Sequence, residues 1–175
     1  DHIDEHGGAP DQIIIFGFSL GAYLAAKLGA DDRTTTDAGV NRSSIRAVVA
    51  VDTVMYDIPR AIARADELGF PDSAVNLPMI FGDDPAAQAA ASPVATISAV
   101  GSYPVFLIPY VREKDGLVHD LSRDQSEVLR DALAAAGGEA SVIEGVGENH
   151  GTVMQAIGAP GDPLTDAFAA VLESH

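Results

Sequence analysis

The sequence predicts an α/β fold with a mostly parallel sheet flanked by helices, and two observations carry that expectation. Apolar runs of strand length alternate with helix-length segments along the chain. Such alternation implies parallel strands covered by helices on both faces. One junction is unusually sharp. Ile13-Ile14-Ile15-Phe16 runs straight into Gly17-Phe18-Ser19-Leu20-Gly21, and a small-residue helical segment follows at once. This is G-x-S-x-G between a strand and a helix, the setting in which the motif holds a serine on a strained turn with its oxygen exposed. Gly17 and Gly21 read as positions where a side chain would collide with the neighbouring strand or helix. The helix begins beneath the serine, so its N-terminal N–H groups favour negative charge there.

The remaining elements follow in order. Residues 1–10 read as a helix end and a loop closed by Gly7-Gly8-Ala9-Pro10. A strand over 12–16 and a helix over 20–29 form the serine unit, with Gly29 as the helix stop. Residues 30–44 read as a polar loop and 45–51 as a strand. An insertion over 53–103 carries short helices near 58–68 and 85–91, broken by Pro, Gly and Asp. A strand over 104–109 follows. Leu121, Val128, Leu129, Ala132 and Leu133 then share one face of a helix over 120–136, which stops at Gly137-Gly138. A strand over 140–145 and a helix over 163–173 complete the chain. Its 175 residues suit one domain.

Composition narrows the function. Net charge is −16, from 26 acidic against 10 basic residues. Such a surface repels nucleic acid and anionic membranes, and it resembles the surfaces of salt-adapted proteins. No run reaches the roughly 18 apolar residues of a membrane span. The chain has no cysteine, which excludes disulfides and thiolate metal sites.

A serine hydroxyl needs a base, usually histidine, and a carboxylate to orient it. After this elbow the chain order is serine, acid, histidine. His2 and His6 precede the serine, and His175 is terminal. His119 lies four residues after the leading acid candidate, too close for a strand between them. His150 follows the strand-like Ala140-Ser141-Val142-Ile143 and lies in the loop Gly147-Glu148-Asn149-His150-Gly151. It is the expected base. Asp115 is the leading acid, just past Pro104-Val105-Phe106-Leu107-Ile108 and before a glycine turn. Asp52 also ends a strand-like run, Arg46 to Val51, and Glu148 and Asp120 stay open as alternatives. The backbone N–H of Leu20, after the serine, is the expected oxyanion donor. No zinc-like histidine spacing and no phosphate loop is present, so neither a metal nor an organic cofactor is expected.

Several landmarks together resemble the C-terminal half of an α/β-hydrolase, in the carboxylesterase group that includes arylformamidase-like and feruloyl-esterase-like enzymes. Glu5-His6-Gly7-Gly8-Ala9-Pro10 resembles the loop leading into the elbow strand. Phe81-Gly82-Asp83-Asp84-Pro85 and Ala91-Ser92-Pro93-Val94 resemble the pocket-side insertion. Glu113-Lys114-Asp115 resembles the acid turn, although Tyr110-Val111-Arg112 stands where the group usually has His-Gly. Asn149-His150 and Gly161-Asp162-Pro163-Leu164-Thr165 resemble the histidine loop and closing helix. The resemblance implies a Ser19–His150–Asp115 triad that hydrolyses a small-molecule carboxylic ester through an acyl-enzyme. A related amidase, formamidase or acyltransferase, and a non-catalytic subunit, are the competing readings. Met55, Tyr56, Ile58, Met79, Ile80 and Phe81 are candidate pocket walls.

The resemblance also implies a second polypeptide. The elbow strand is apolar at consecutive positions, the pattern of a strand buried on both faces, yet it is the first strand of this chain. Its far edge is expected to be covered by the N-terminal half of the fold, which also supplies a second oxyanion donor. His6-Gly7-Gly8 lies at the wrong end of the sheet to do so and reads as a helix-to-strand turn.

Overall fold

In the computed structural model the described residues are 3–69, 77–98, 102–111, 117–145 and 149–173. Four strands, β1 (Ile13–Phe18), β2 (Ile45–Val51), β3 (Val105–Tyr110) and β4 (Ala140–Glu144), pair in parallel in the order β1-β2-β3-β4. The helices between them are α1 (Leu20–Ala30), α2 (Asp32–Asp37), α3 (Ile58–Glu67), α4 (Pro85–Ala91), α5 (Leu117–Ala135), α6 (Val153–Ala156) and α7 (Pro163–Glu173). A short helix over 77–81 lies in the insertion.

The sheet is covered on both faces by different sets of side chains. On one face Ala22, Ala25 and Ala26 of α1 and Leu129 and Leu133 of α5 pack on Val48, Phe106 and Ile108. On the other, Val153 and Leu164 pack on Val49, Val51 and Leu107. A third cluster lies beside the sheet, where Ala61 and Ala65 of α3 and Leu121 of α5 enclose Leu77. That cluster roots the 77–81 helix in the body of the protein. Burial of such a leucine contributes about 1.5–3 kcal/mol.

Small residues let α1 lie close to the sheet. A Cβ on Gly29 would stand 2.5 Å from Val48 Cγ2 and 2.8 Å from Phe106 Cζ. Gly29 is therefore a packing glycine inside the helix, which runs on to Ala30, and not the helix stop expected from its type. The stop comes at Asp31, whose carboxylate then accepts from Arg33 N–H and caps α2. So 30–44, expected as a loop, holds α2 and a 3-10 turn at Arg42–Ser44. Helix α5 begins three residues earlier than its apolar stripe suggested.

Strand β1 ends the described sheet, and its burial is partial where β2 is almost wholly buried. Phe16, 45% exposed, shares the α7 face of the sheet with Ile14 and Phe18, at the β1 edge, away from β3 and β4 where α7 packs. Leu20, Leu24 and Leu28 form an exposed apolar stripe along α1. His6-Gly7-Gly8 forms the turn before β1, as its type suggests, with Gly7 at φ 73°.

The two elbow glycines behave differently. A Cβ on Gly17 would sit 2.1 Å from the carbonyl oxygen of Gly21, whereas a Cβ on Gly21 meets nothing within 4 Å. The expected collision exists at Gly17 only. Gly17→Ala should therefore lower stability by about 1–3 kcal/mol through backbone overpacking. Gly21→Ala should be neutral or stabilising by up to about 1 kcal/mol, because it lies in a helix. Chemical denaturation of the two variants checks this, with a lowered midpoint expected for Gly17→Ala and an unchanged or raised one for Gly21→Ala.

Candidate active site

The strand ends build the site. β1 and β2 run side by side with Gly17 opposite Ala50 and Phe18 opposite Val51. Pairing continues one residue further, where Ser19 N–H donates to Val51 O at 2.9 Å. Ser19 then turns the chain with φ 57° and ψ −121°. Among the described residues, only Ser19 and Asp52 combine a side chain with positive φ. Asp52, at φ 50°, follows Val51 at the end of the neighbouring strand, and its N–H donates to Pro109 O of β3 at 2.9 Å. Strained conformations of this kind cost about 1–3 kcal/mol each and persist where the surroundings over-determine them.

The side chains of these residues meet through His150. Its Nε2 stands 3.1 Å from Ser19 Oγ, and its Nδ1 stands 2.6 Å from Asp52 Oδ2. Ser19 sits at the N-cap of α1 but makes no side-chain cap bond, which leaves its hydroxyl to the imidazole. The carbonyl of Ser19 accepts from Ala22 and Tyr23 N–H, so the turn is pinned without using the hydroxyl. Leu20 is the first residue of α1, where N–H groups have no partner within the helix.

His150 is placed by a tight local turn. Asn149 O accepts from Thr152 N–H at 3.0 Å and from Val153 N–H at 2.9 Å, and Asn149 Oδ1 accepts from Gly151 N–H at 3.0 Å. Val153 is fully buried in the core and anchors the far side of the turn. The imidazole also lies over Phe18, with ring centroids 4.7 Å apart.

Ser19 and His150 thus come together as expected. Asp115 lies outside the described residues, and so does Glu148. The place beside Nδ1 is held by Asp52, a carboxylate with no exposed side-chain surface. Asp52 ends the strand directly paired with β1. Asp120, the other alternative, lies on α5 and contacts His119 at 3.4 Å.

Asp52 governs the charge of the site. Its hydrogen bond to His150 is the main influence raising the imidazole pKa above the ordinary 6.5; partial burial opposes this, and the negative charge of Asp52 adds to it. Asp52 Oδ1, Thr53 Oγ1 and Ser122 Oγ are buried with no hydrogen-bond partner among the described residues.

These groups open onto a cleft of about 430 Å³. Its walls include Val54 and Met55 from the loop after β2, Leu77 and Ile80 from the 77–81 helix, and Val118 from α5. Of the expected wall residues, Met55 and Ile80 line it. Tyr56 and Ile58 are fully buried in the core instead, Met79 is 79% exposed, and Phe81 packs edge-on against Tyr23. Val54 and Leu77 lie in the expected insertion without a signal that marks them as wall residues, and Val118 comes from α5, outside that insertion.

No protein-family model matches the chain, and no curated protein matches it. Solved structures do. An inhibited esterase B from Lactobacillus rhamnosis superposes with a TM-score of 0.65 at 18% identity, over 99% of this chain and 58% of that one. Carboxyl esterase 2 from Tuber melanosporum gives 0.62 at 19% identity, over 94% of this chain and 54% of that one. An acylaminoacyl peptidase from Pyrococcus horikoshii gives 0.60 at 17% identity, over 90% and 22%. The fold is that of an α/β-hydrolase, and the chain spans a little over half the length of these esterases.

The raised imidazole pKa yields a prediction. In an NMR titration, His150 should protonate with a midpoint above 6.5, and Asp52→Asn should move that midpoint down. The sign for stability follows by linkage: a raised folded-state pKa means the pair contributes fully below pH about 6.5, and its contribution is lost as pH rises through the folded value. A midpoint unchanged in Asp52→Asn would contradict the assignment.

Proposed function

We propose that the protein is a serine hydrolase that cleaves carboxylic esters through an acyl-enzyme, with Ser19 as nucleophile, His150 as base and Asp52 as the orienting acid. The observation that carries this reading is the unbroken hydrogen-bonded series from Ser19 Oγ through the two nitrogens of His150 to Asp52. Esterases stand among the structural neighbours, which supports esters as the substrate class.

The chemistry follows from the geometry. Ser19 Oγ attacks the ester carbonyl carbon while His150 Nε2 takes its proton. Asp52 accepts the Nδ1–H bond, fixes the tautomer and stabilises the imidazolium. The carbonyl oxygen becomes an oxyanion beside Leu20 N–H at the start of α1; one such donor supplies about 2.7–4 kcal/mol. Collapse breaks the bond to the alcohol oxygen, which receives the proton held on Nε2. Water then attacks the acyl-enzyme, giving its proton to Nε2, and the acid leaves as that proton returns to Ser19. Only neutral imidazole acts as base, so kcat/KM should rise with pH through the raised His150 midpoint.

Labelling with a fluorophosphonate tests the nucleophile, and hydrolysis of p-nitrophenyl acetate tests the rest. The wild-type chain should label, and Ser19→Ala should neither label nor hydrolyse. Asp52→Asn should lower kcat by about 10⁴-fold, as loss of the orienting acid does in such triads, while Asp115→Asn should cost less than about tenfold. A damaging Asp115→Asn beside a mild Asp52→Asn would overturn the acid assignment. Full activity in Ser19→Ala would overturn the mechanism.

A further inference from the structure

The other end of the parallel sheet also carries a cleft. Ser19 and Asp52 follow the carboxyl ends of β1 and β2. At the amino ends of β1, β2 and β3 lies a separate cleft of about 430 Å³. Asp11 and Gln12 enter it from the turn before β1, Ile45 and Arg46 from the start of β2, and Tyr103 and Pro104 from the approach to β3. Arg46 and Asp52 stand at opposite ends of one strand, about 20 Å apart at the usual rise per residue.

One wall of this cleft is fixed. Arg42, which also lines it, donates from Nη1 to Asp32 at 2.7 Å and from Nη2 to Gly29 O at 2.8 Å. Its guanidinium lies over the Tyr103 ring, 4.4 Å from the centroid. The Tyr103 hydroxyl accepts from Ser98 N–H at 2.7 Å and donates to Ser98 O at 2.8 Å. Arg42 and Tyr103 are therefore committed to the body of the protein. They shape the cleft and offer a ligand no free charge.

Two charged side chains in the cleft are uncommitted. Arg33, Arg42, Arg60, Arg64, Arg123 and Arg130 each stand beside a carboxylate, and Lys27 donates to Ala90 O. Among the described residues Arg46 is the cation with no such partner, although it is half-buried and the chain has 26 acidic residues against 10 basic ones. Asp11, exposed at the rim, has no hydrogen bond or ion pair from its side chain among the described residues either. Both line the cleft, and they do not pair with each other.

Opposite charges that line one cleft without meeting match a ligand that carries both. A guanidinium binds a carboxylate through two parallel N–H···O bonds, and an aspartate accepts from an ammonium group. A ligand with no net charge also escapes the repulsion that the −16 of the chain imposes on an anion. Tyr103 and Pro104 supply apolar surface for the body between its charges. We propose that this cleft binds a small zwitterion of the amino-acid class, with its carboxylate on Arg46 and its ammonium group at Asp11. The volume lies near the small end of the usual range for ligand sites, which suits a single amino acid or a chain-extended analogue.

Titration of the wild-type chain, followed through its amide NMR signals, tests this. The probes are leucine and 5-aminopentanoate, which hold their charges at different spacings, each beside its N-acetyl and carboxamide forms. At least one zwitterion should give saturable shifts centred on residues 11–12, 43–46 and 102–105. Its N-acetyl and carboxamide forms should each bind at least about tenfold more weakly, because each loses one charge-assisted contact. Arg46→Gln should remove the preference over the carboxamide, and Asp11→Asn the preference over the N-acetyl form. Both variants should keep the wild-type melting temperature, which is measured alongside, and the blocked probes make the same comparison on the unaltered chain. The proposal is overturned if neither zwitterion saturates, if the blocked forms bind as tightly, if the shifts centre on Ser19 and His150, or if both preferences survive the substitutions. The readout is binding, so its outcome is independent of the hydrolase reading.

Discussion

The site depends on the parallel pairing of β1 with β2 carrying on one residue beyond the strands. Ser19 N–H reaches Val51 O at 2.9 Å, and Asp52 N–H reaches Pro109 O at the same distance. Each strand-end residue is thus tied to the next strand over, and each is held at positive φ. Free chains seldom hold a serine or aspartate there, since the left-handed region is costly for residues with a Cβ. Here two backbone hydrogen bonds, made inside a sheet with β2 fully packed, hold both residues in it. The same two bonds place the Ser19 hydroxyl and the Asp52 carboxylate on neighbouring strand ends, at the separation that one imidazole spans.

The other parts of the site bring His150 and the cleft to that pair. The Asn149 turn and the buried Val153 deliver the imidazole from beyond β4, across the ends of the intervening strands. The cleft wall belongs to a separate cluster beside the sheet, built from α3, α5 and the 77–81 helix. The Ser19–His150–Asp52 group and the cleft walls therefore rest on different supports. Changes to Ile80 act on the cleft, while changes to Gly17 act on the backbone that carries Ser19.

Much of this was legible in the residues. The run Ile13 to Phe16 ahead of Gly17-Phe18-Ser19 marks a strand and a turn by local pattern alone, and His150 follows from the short supply of histidines after the serine. Asp52 was harder to see. It ends an apolar run just as Asp115 nearly does, and local pattern does not say which strand lies against β1. The positive φ of Asp52 is likewise a tertiary property, imposed by Pro109 O from β3. Gly29 and Gly21 misled for a related reason: glycine marks either a chain reversal or a close approach, and only the packing of Val48 and Phe106 decides between them at Gly29.

The central claim is that Ser19, His150 and Asp52 act as one hydrogen-bonded unit. A crystal structure of the chain after reaction with a phosphonate ester tests it most directly. The expected adduct has a covalent bond from Ser19 Oγ to phosphorus, the phosphoryl oxygen at Leu20 N–H, and Asp52 still hydrogen-bonded to Nδ1 of His150. A carboxylate other than Asp52 at Nδ1, or an adduct on any residue but Ser19, would contradict it.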